Sequence, residues 1–383
     1  MVLKPASGGH TGPVSPAFRF SLIFGAQFAS LGAALPFVPA VLTAGGLSAQ
    51  QVGLVLALGT GTRLLANPWA ARIADRTGLR GTLALAAVVS GLLLPLLGWG
   101  QGIAVLLAIY ILHSAAVAPI VTLSDAAAIA EIRRRPFDYG RVRAWGSVTF
   151  ILAALAAGQF VGLWGAGSAL YISCAALLAT GAIALTLPPH EALPPAARGS
   201  MWEPLRHPAF RRLLPASALI QGSHAMYNGF STLHWQAAGL SPGLVGALWG
   251  AGVIAEIALF VFGRRLVEKL GARGLAMVAA GSGVLRWSVT AVTVDPWVLF
   301  PIQLLHACTF GAMHLAAIRS LGALPPALGA RAQALHTSLG VGLATGVMMV
   351  VAGPLYAALE GHAFWAMAGL CAMGFVAATR LGR

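Results

Sequence analysis

Six ionisable side chains lie inside long apolar stretches of the sequence, where a charge is costly to bury. They are Arg63, Asp125, Arg143, Glu256, Arg286 and His306. A charged group at the centre of a bilayer costs about 3 kcal/mol even on insertion scales, so it usually faces a partner or a wet cavity. An arginine fork can also hold a carboxylate through two parallel hydrogen bonds. These residues therefore predict a polar pathway through an apolar protein.

The composition shows what must position these residues. Of 383 residues, 58% are hydrophobic and 9% charged, whereas about a quarter of a soluble domain is charged. Apolar stretches of about 18 to 25 residues match helices that cross about 30 Å of hydrocarbon. The sequence predicts an all-α membrane protein with twelve transmembrane helices, near 18–42, 50–74, 81–99, 103–129, 139–164, 167–187, 211–236, 243–263, 274–292, 296–320, 332–357 and 361–380.

The basic residues predict the orientation of these helices. Residues 1–17 lack the apolar core of a signal peptide and are expected to form a short tail. The 24 lysines and arginines avoid every second predicted loop and occur in all the others. This positive-inside pattern places both termini and the 188–210 linker in the cytoplasm, as in a bacterial inner-membrane protein.

Several other functions are disfavoured. The net charge of +14 is spread over short loops without a basic patch, so nucleic-acid binding is not expected. Three cysteines lie in apolar spans without a CxxC pair, and no metal or phosphate-binding motif is present, so no metal or cofactor is predicted. A membrane-embedded enzyme could use a buried acid and histidine, but no nucleophile motif supports one.

Two similar turns lie 193 residues apart, about half the chain. ARIADRTGLRG (71–81) matches RRLVEKLGARG (264–274), and the paired residues are Asp75 and Glu268, Arg76 and Lys269, Gly78 and Gly271, and Arg80 and Arg273. We expect two six-helix bundles, 18–187 and 211–383, that rock about a central site as parallel repeats do in secondary transporters. The eight paired residues are predicted to dock helix ends and gate this motion.

The same offset relates Arg63 to Glu256, which places opposite charges at matching depth in the two halves. Two interpretations of Arg63 remain open. It binds the carboxylate of a substrate, or it forms a structural ion pair with another helix.

Helix seven carries polar residues three or four positions apart, which places them on one face. They are His224, Tyr227, Asn228, Ser231 and His234. Such a stripe should face a cavity and not lipid. Tyr227, Asn228 and His234 are predicted substrate contacts, while His224 could simply bond to a neighbouring helix.

Longer motifs resemble a known family. The turn at 71–81 resembles the signature loop of the major facilitator superfamily. RPFDYGRVRAWGSVTF (135–150), SHAMYNGFSTLHWQAAGLS (223–241) and IQLLHACTFGAMHL (302–315) resemble its phenylpropionate permease group. This group is related to the oligosaccharide:proton symporters, which include lactose permease, and to the nucleoside:proton symporters. The resemblance implies proton-coupled symport of a small organic solute, most simply an aromatic monocarboxylate, by a monomer in the lipid bilayer.

The resemblance also implies roles for individual residues. Asp125 and Arg143 have the spacing of a substrate-binding pair, although Asp is one methylene shorter than the family's Glu. Arg286 and His306 match the proton site, but Thr309 stands where the family has a carboxylate. Glu256 is therefore the best substitute as proton carrier, and His306 is the second candidate.

Two further residues are candidate contacts for an aromatic substrate. Gln27 could supply an amide and Trp145 a stacking surface, although Trp145 could equally be a packing residue. Transport of a sugar or nucleoside would need Asp125 and Arg143 but no carboxylate clamp. Drug efflux by proton antiport is a third alternative, but residues 147–165 lack the proline of the usual antiporter signature.

Overall fold

A computed structural model describes residues 15–187 and 200–382. Most of the predicted tail and residues 188–199 of the predicted linker lie outside this range. Within it the chain is helical and contains no strand. The α-helices are α1 (Pro16–Ala34), α2 (Val38–Ala44), α3 (Ala49–Thr77), α4 (Leu79–Leu93), α5 (Gly102–Val117), α6 (Pro119–Arg134), α7 (Tyr139–Trp164), α8 (Ser168–Ala184), α9 (Pro208–Gly222), α10 (His224–Ala237), α11 (Pro242–Phe262), α12 (Arg264–Val292), α13 (Pro296–Leu304), α14 (Met313–Gly322), α15 (Gly329–Leu335), α16 (Ala344–Leu359) and α17 (Phe364–Ala378).

Every predicted span contains helix, and several spans are interrupted. The α5 helix ends just before Pro119, which lacks the backbone N–H that would continue the hydrogen-bond ladder. Two wider π-helical turns, Ala307–Ala312 and His336–Leu343, lie between α13 and α14 and between α15 and α16. Eight helical stretches in the described chain are long and apolar enough to span a bilayer. The all-α membrane fold is thus confirmed, and the count of twelve crossings stays a prediction.

The apolar core of the described residues consists of three clusters that lie at two different depths along the helix bundle. One cluster, which includes Phe20, Leu83 and Leu123, is built only from the first half of the chain. A second, which includes Phe210, Leu275 and Leu335, is built only from the second half. Both lie at the terminal side, the end of the bundle that carries the start of α1 and the end of α17. The third cluster takes residues from both halves and lies at the opposite end, here called the far side.

The two halves therefore share a core at the far side, whereas each half has its own core at the terminal side. The seam is formed by α7 against α11 and by α3 against α16. A Cβ atom at Gly158 would collide with the carbonyl of Pro242, and one at Gly246 would collide with that of Ala154. Only glycine permits this close approach of the backbones.

We expect Gly246→Leu to weaken the far-side seam. Overpacking costs about 1–3 kcal/mol, so the far side should open about tenfold more often, since about 1.4 kcal/mol is a factor of ten. Met349→Cys, introduced at this seam in a protein whose native cysteines are replaced by serine, reports the opening through its rate of maleimide labelling. Gly162→Leu is the control because a Cβ there meets nothing within 4 Å. Equal labelling rates in the two variants would contradict the prediction.

The paired turns of the repeat have similar backbones. Gly78 ends α3 at φ 95°, and Gly271 bends α12 at φ 62°. Both angles lie in the left-handed region, which favours glycine because it lacks a Cβ. The sequence repeat is thus also a repeat of local conformation.

Within the described residues, the charged side chains of these turns form no contact between the two halves. Asp75 and Arg76 are exposed, and Arg80 donates to the carbonyl of Leu187 within its own half at 3.3 Å. In the second turn Glu268 pairs with the neighbouring Arg264 at 2.9 Å, while Lys269 is exposed and Arg273 is half-buried. Their gating role stays a prediction.

Candidate functional site

Arg63 lies on α3 where this helix packs against α5. A Cβ at Gly59, one turn earlier, would collide with the Tyr110 ring, so the two helices are very close. The Arg63 Nη2 donates to the Tyr110 hydroxyl at 3.4 Å, and its Nε is buried without a hydrogen-bond partner. Among the described residues Arg63 forms no ion pair. The guanidinium thus keeps donors available for an anion.

Asp125 and Arg143 are connected through a residue that the sequence analysis missed. The Tyr139 hydroxyl donates to Asp125 Oδ1 at 2.8 Å and also interacts with Arg143, one turn later on α7. The Arg143 guanidinium lies 4.0 Å from the Phe28 ring centroid and 5.3 Å from that of Phe24. The spacing of four between Tyr139 and Arg143, which puts them on one helix face, was the available signal.

Arg286 is fully buried in the second half and is held by three side chains. Its Nη1 donates to Thr309 Oγ1 at 3.0 Å and to His306 Nδ1 at 3.2 Å, and its Nη2 donates to Gln303 Oε1 at 2.7 Å. Thr309, which replaces the family's carboxylate, therefore serves as a neutral acceptor. Gln303 was missed, although its spacing of three from His306 placed it on the same helix face.

The contact with Arg286 fixes the hydrogen position on His306. A guanidinium only donates, so His306 Nδ1 must accept, and the hydrogen of the neutral ring lies on Nε2. That Nε2 faces Glu256 Oε2 at 3.6 Å. A second ring proton would point at the guanidinium, which favours the neutral form of His306.

Glu256 lies where charges from both halves meet. It reaches His306 because Gly252, one turn earlier on α11, packs directly on the His306 side chain. It also interacts electrostatically with Arg143 of the first half and with His314. The pseudo-symmetric residues Arg63 and Glu256 do not form an ion pair with each other. Arg63 contacts Tyr110 instead, and Glu256 contacts His306.

The polar residues of the predicted seventh span fall into two groups, and the first group, His224 and Tyr227, lies beside Arg286. His224 is buried and completes a hydrogen-bonded chain, because it lies 3.2 Å from Thr309 Oγ1 and its Nδ1 donates to the Ile220 carbonyl at 3.1 Å. Tyr227 packs on Trp249 at 4.5 Å and lies 4.6 Å from the Arg286 guanidinium.

The remaining candidates of this face differ in position. Asn228 is half-buried and makes no side-chain hydrogen bond within the described chain. Ser231 is fully buried, and its hydroxyl has no partner there. His234 lies at the far side, where it packs beside Tyr356, apart from the Arg286 network. The proposed contacts of Asn228 and His234 stay predictions.

Gln27 and Trp145 occupy contrasting environments. Gln27 is buried and accepts a hydrogen bond from Ser124 at 3.1 Å, while its amide nitrogen has no partner. Trp145 is 55% exposed on the face of α7 that also carries Val148 and Leu152, two positions away from Arg143. Its stacking role stays a prediction.

We expect Arg286→Gln to destabilise the protein strongly. The change removes hydrogen bonds to a charged group, worth about 1.5–3 kcal/mol each, and leaves buried acceptors unpaired. The midpoint of thermal unfolding in detergent should fall by several degrees. Arg211→Gln, at an exposed position of α9, should change stability by less than about 0.5 kcal/mol. Equal midpoints for the two variants would show that the network contributes little.

Comparison with known proteins identifies the family. The sequence model of the MFS_1 like family matches residues 18–367, which is most of the chain. The protein belongs to the MFS_1 like family. The chain is 35% identical over 349 residues to the probable 3-phenylpropionic acid transporter of Escherichia coli (strain K12), covering 89% of this chain and 91% of that protein. It is 27% identical to the maltose permease of Geobacillus stearothermophilus, covering 94% and 91%.

Solved structures show the same fold for this MFS_1 like protein. The nucleoside transporter NupG superposes with a TM-score of 0.83 at 15% identity, covering 96% of this chain and all of that one. A bacterial homologue of the human lysosomal transporter Spinster superposes with a TM-score of 0.72 at 13% identity, covering 95% of each chain. The chain is thus a multi-pass membrane transporter of the major facilitator type and not an enzyme, as the sequence predicted.

Proposed function

We propose that this protein is a proton-coupled symporter of a small aromatic monocarboxylate such as 3-phenylpropionate, working by alternating access. The observation that carries the substrate class is the state of Arg63, whose guanidinium has one weak hydrogen bond and no acidic partner in the described chain. A carboxylate would complete its coordination through a bidentate contact. The name of the relative in Escherichia coli supports this choice.

The coupling site is Glu256 with His306 and Arg286. Arg286 holds His306 neutral through Nδ1, and His306 presents Nε2 to the Glu256 carboxyl. Glu256 is therefore the group that gains and loses the proton, and His306 orients it. Because Arg143 of the first half also acts on Glu256, protonation there changes the charge balance between the halves.

The proposed orientation follows the basic loops. The terminal side faces the cytoplasm of a bacterial cell, and the protein functions as a monomer in the inner membrane. The described conformation, closed at the far side, would then be the one that exchanges substrate with the cytoplasm.

The test is uptake of labelled 3-phenylpropionate by purified protein in liposomes. An imposed proton gradient, acidic on the far side, should drive accumulation, and collapse of the gradient by a protonophore should abolish it. Counterflow without a gradient measures substrate exchange alone. If counterflow fails with 3-phenylpropionate, the substrate assignment is wrong.

A sugar or nucleoside is the second candidate substrate. The hydrogen-bonding group of Asp125, Tyr139 and Arg143 beside aromatic rings could bind hydroxyl groups, and one relative is named a maltose permease. Counterflow with maltose or uridine in the same liposomes, together with failure of 3-phenylpropionate, would favour this function.

A further inference from the structure

One exposed histidine near the coupling site has no role in the function proposed above. His314 lies two helical turns beyond His306, and the Phe310 ring lies between them. The His306 and Phe310 rings are stacked at 5.3 Å with 5° between their planes, and the Phe310 and His314 rings at 6.4 Å with 2°. The three side chains thus form a column that runs from the buried coupling site toward the terminal side.

The surroundings of His314 come from two other helical segments. Glu256 on α11 interacts with it electrostatically, and Phe260, one turn beyond Glu256, lies 6.4 Å from its ring. On its other side it interacts electrostatically with His336. The Nε2 of His336 is hydrogen-bonded to Ser217 Oγ at 2.8 Å. A side chain that influences both α11 and the His336 segment must lie on the face of its own helix between them.

Exposure distinguishes His314 from its neighbours. The side chains of Glu256 and His306 are 17% and 18% exposed, whereas His314 is exposed and makes no hydrogen bond or ion pair within the described chain. Both of its ring nitrogens are therefore without a protein partner in the described chain. His306 lacks this freedom because Arg286 occupies its Nδ1.

We propose that His314 relays the proton between Glu256 and the water at the terminal side. The inference rests on the proposed function, in which Glu256 carries the proton. The O–H bond of the protonated Glu256 carboxyl breaks, and the proton passes through cavity water to a ring nitrogen of His314, leaving a carboxylate and an imidazolium. The imidazolium then releases its proton to water at the terminal side and becomes neutral again.

This position suits a relay better than a substrate contact. Glu256 and His314 form no ion pair within the described chain, so the proposed transfer runs through at least one water. An imidazole can accept and release a proton at neutral pH with little change in free energy. Phe310 fixes the ring in the column without competing for its nitrogens.

The test compares His314→Gln with the wild type in the liposome assays. We expect counterflow of 3-phenylpropionate to stay unchanged, because substrate binding does not need the relay. The rate of uptake driven by the proton gradient should fall at least about 100-fold, the lower end of the range for a lost proton-transfer group. Added imidazole on both membrane faces should restore the rate, since it can replace the missing ring as a proton carrier.

The outcomes separate this inference from the proposed function. If wild-type protein shows no gradient-driven uptake, the proposed function fails. If the wild type accumulates substrate and His314→Gln does so at the same rate, the relay is overturned. Slow uptake by His314→Gln that imidazole does not restore would indicate a structural role and would also overturn it. His362→Gln, an exposed histidine at the far side, is the matched control and should behave as wild type.

Discussion

The Glu256→Gln variant is expected to exchange 3-phenylpropionate across the membrane. It should no longer accumulate this substrate when a proton gradient is imposed. Glutamine keeps the size of the side chain and its contact with His306, but it cannot gain or lose the proton. Exchange by the substrate-loaded protein does not require deprotonation of residue 256, whereas net uptake does. Counterflow should stay near the wild-type rate while gradient-driven uptake falls to the background of empty liposomes.

The control for this prediction is Asp295→Asn. Asp295 is an exposed carboxylate that caps α13, and asparagine is an equally good cap. This variant should accumulate substrate normally. Accumulation by Glu256→Gln at the wild-type level would remove Glu256 from the coupling mechanism. His306 would then need testing as the carrier, although its contact with Arg286 opposes that role.

Arg63→Gln is expected to lose nearly all binding of 3-phenylpropionate. A bidentate contact contains two charge-assisted hydrogen bonds, each worth about 1.5–3 kcal/mol, so a loss of about 3 kcal/mol or more weakens binding at least about 100-fold. Arg63→Lys should be intermediate because it keeps the charge but not the planar fork. The dissociation constant can be measured by scintillation proximity with the purified protein.

A neutral substrate analogue makes this prediction specific to the carboxylate. Wild-type protein should bind 3-phenylpropionamide weakly, and Arg63→Gln should no longer distinguish the amide from the acid. Arg72→Gln, at an exposed position on the same helix, is the matched control and should keep wild-type affinity. If Arg63→Gln bound the acid normally, Arg63 would have a structural role and the sugar or nucleoside candidate would gain support.

The sequence by itself determined the class of protein and most of its helices. Membrane spans are readable because each backbone N–H and C=O must be satisfied within its own segment in hydrocarbon. The boundaries at Tyr139–Trp164 and Pro242–Phe262 therefore follow closely from local composition. The repeated turns were also visible, since Gly78 and Gly271 adopt a backbone that glycine alone adopts easily.

The sequence also identified several of the side chains at the site but not their partners. Arg286 was identified as a charge inside an apolar span, and the resemblance to the permease family implicated it together with His306. Gln303, Tyr110 and Tyr139 were missed, since a neutral polar side chain in an apolar span gives a weaker signal than a charge.

Only the tertiary structure decided how these charges are paired. Arg63 and Glu256 match in the repeat, yet Arg63 faces Tyr110 and Glu256 faces His306. Partners that lie tens of residues apart in the chain are brought together by helix packing, and packing depends on close contacts such as Gly59 against Tyr110 and Gly252 against His306. The tautomer of His306 follows from such a long-range contact and could not be read from the sequence, and it supports the proposal of Glu256, already a candidate in the sequence, as the proton carrier.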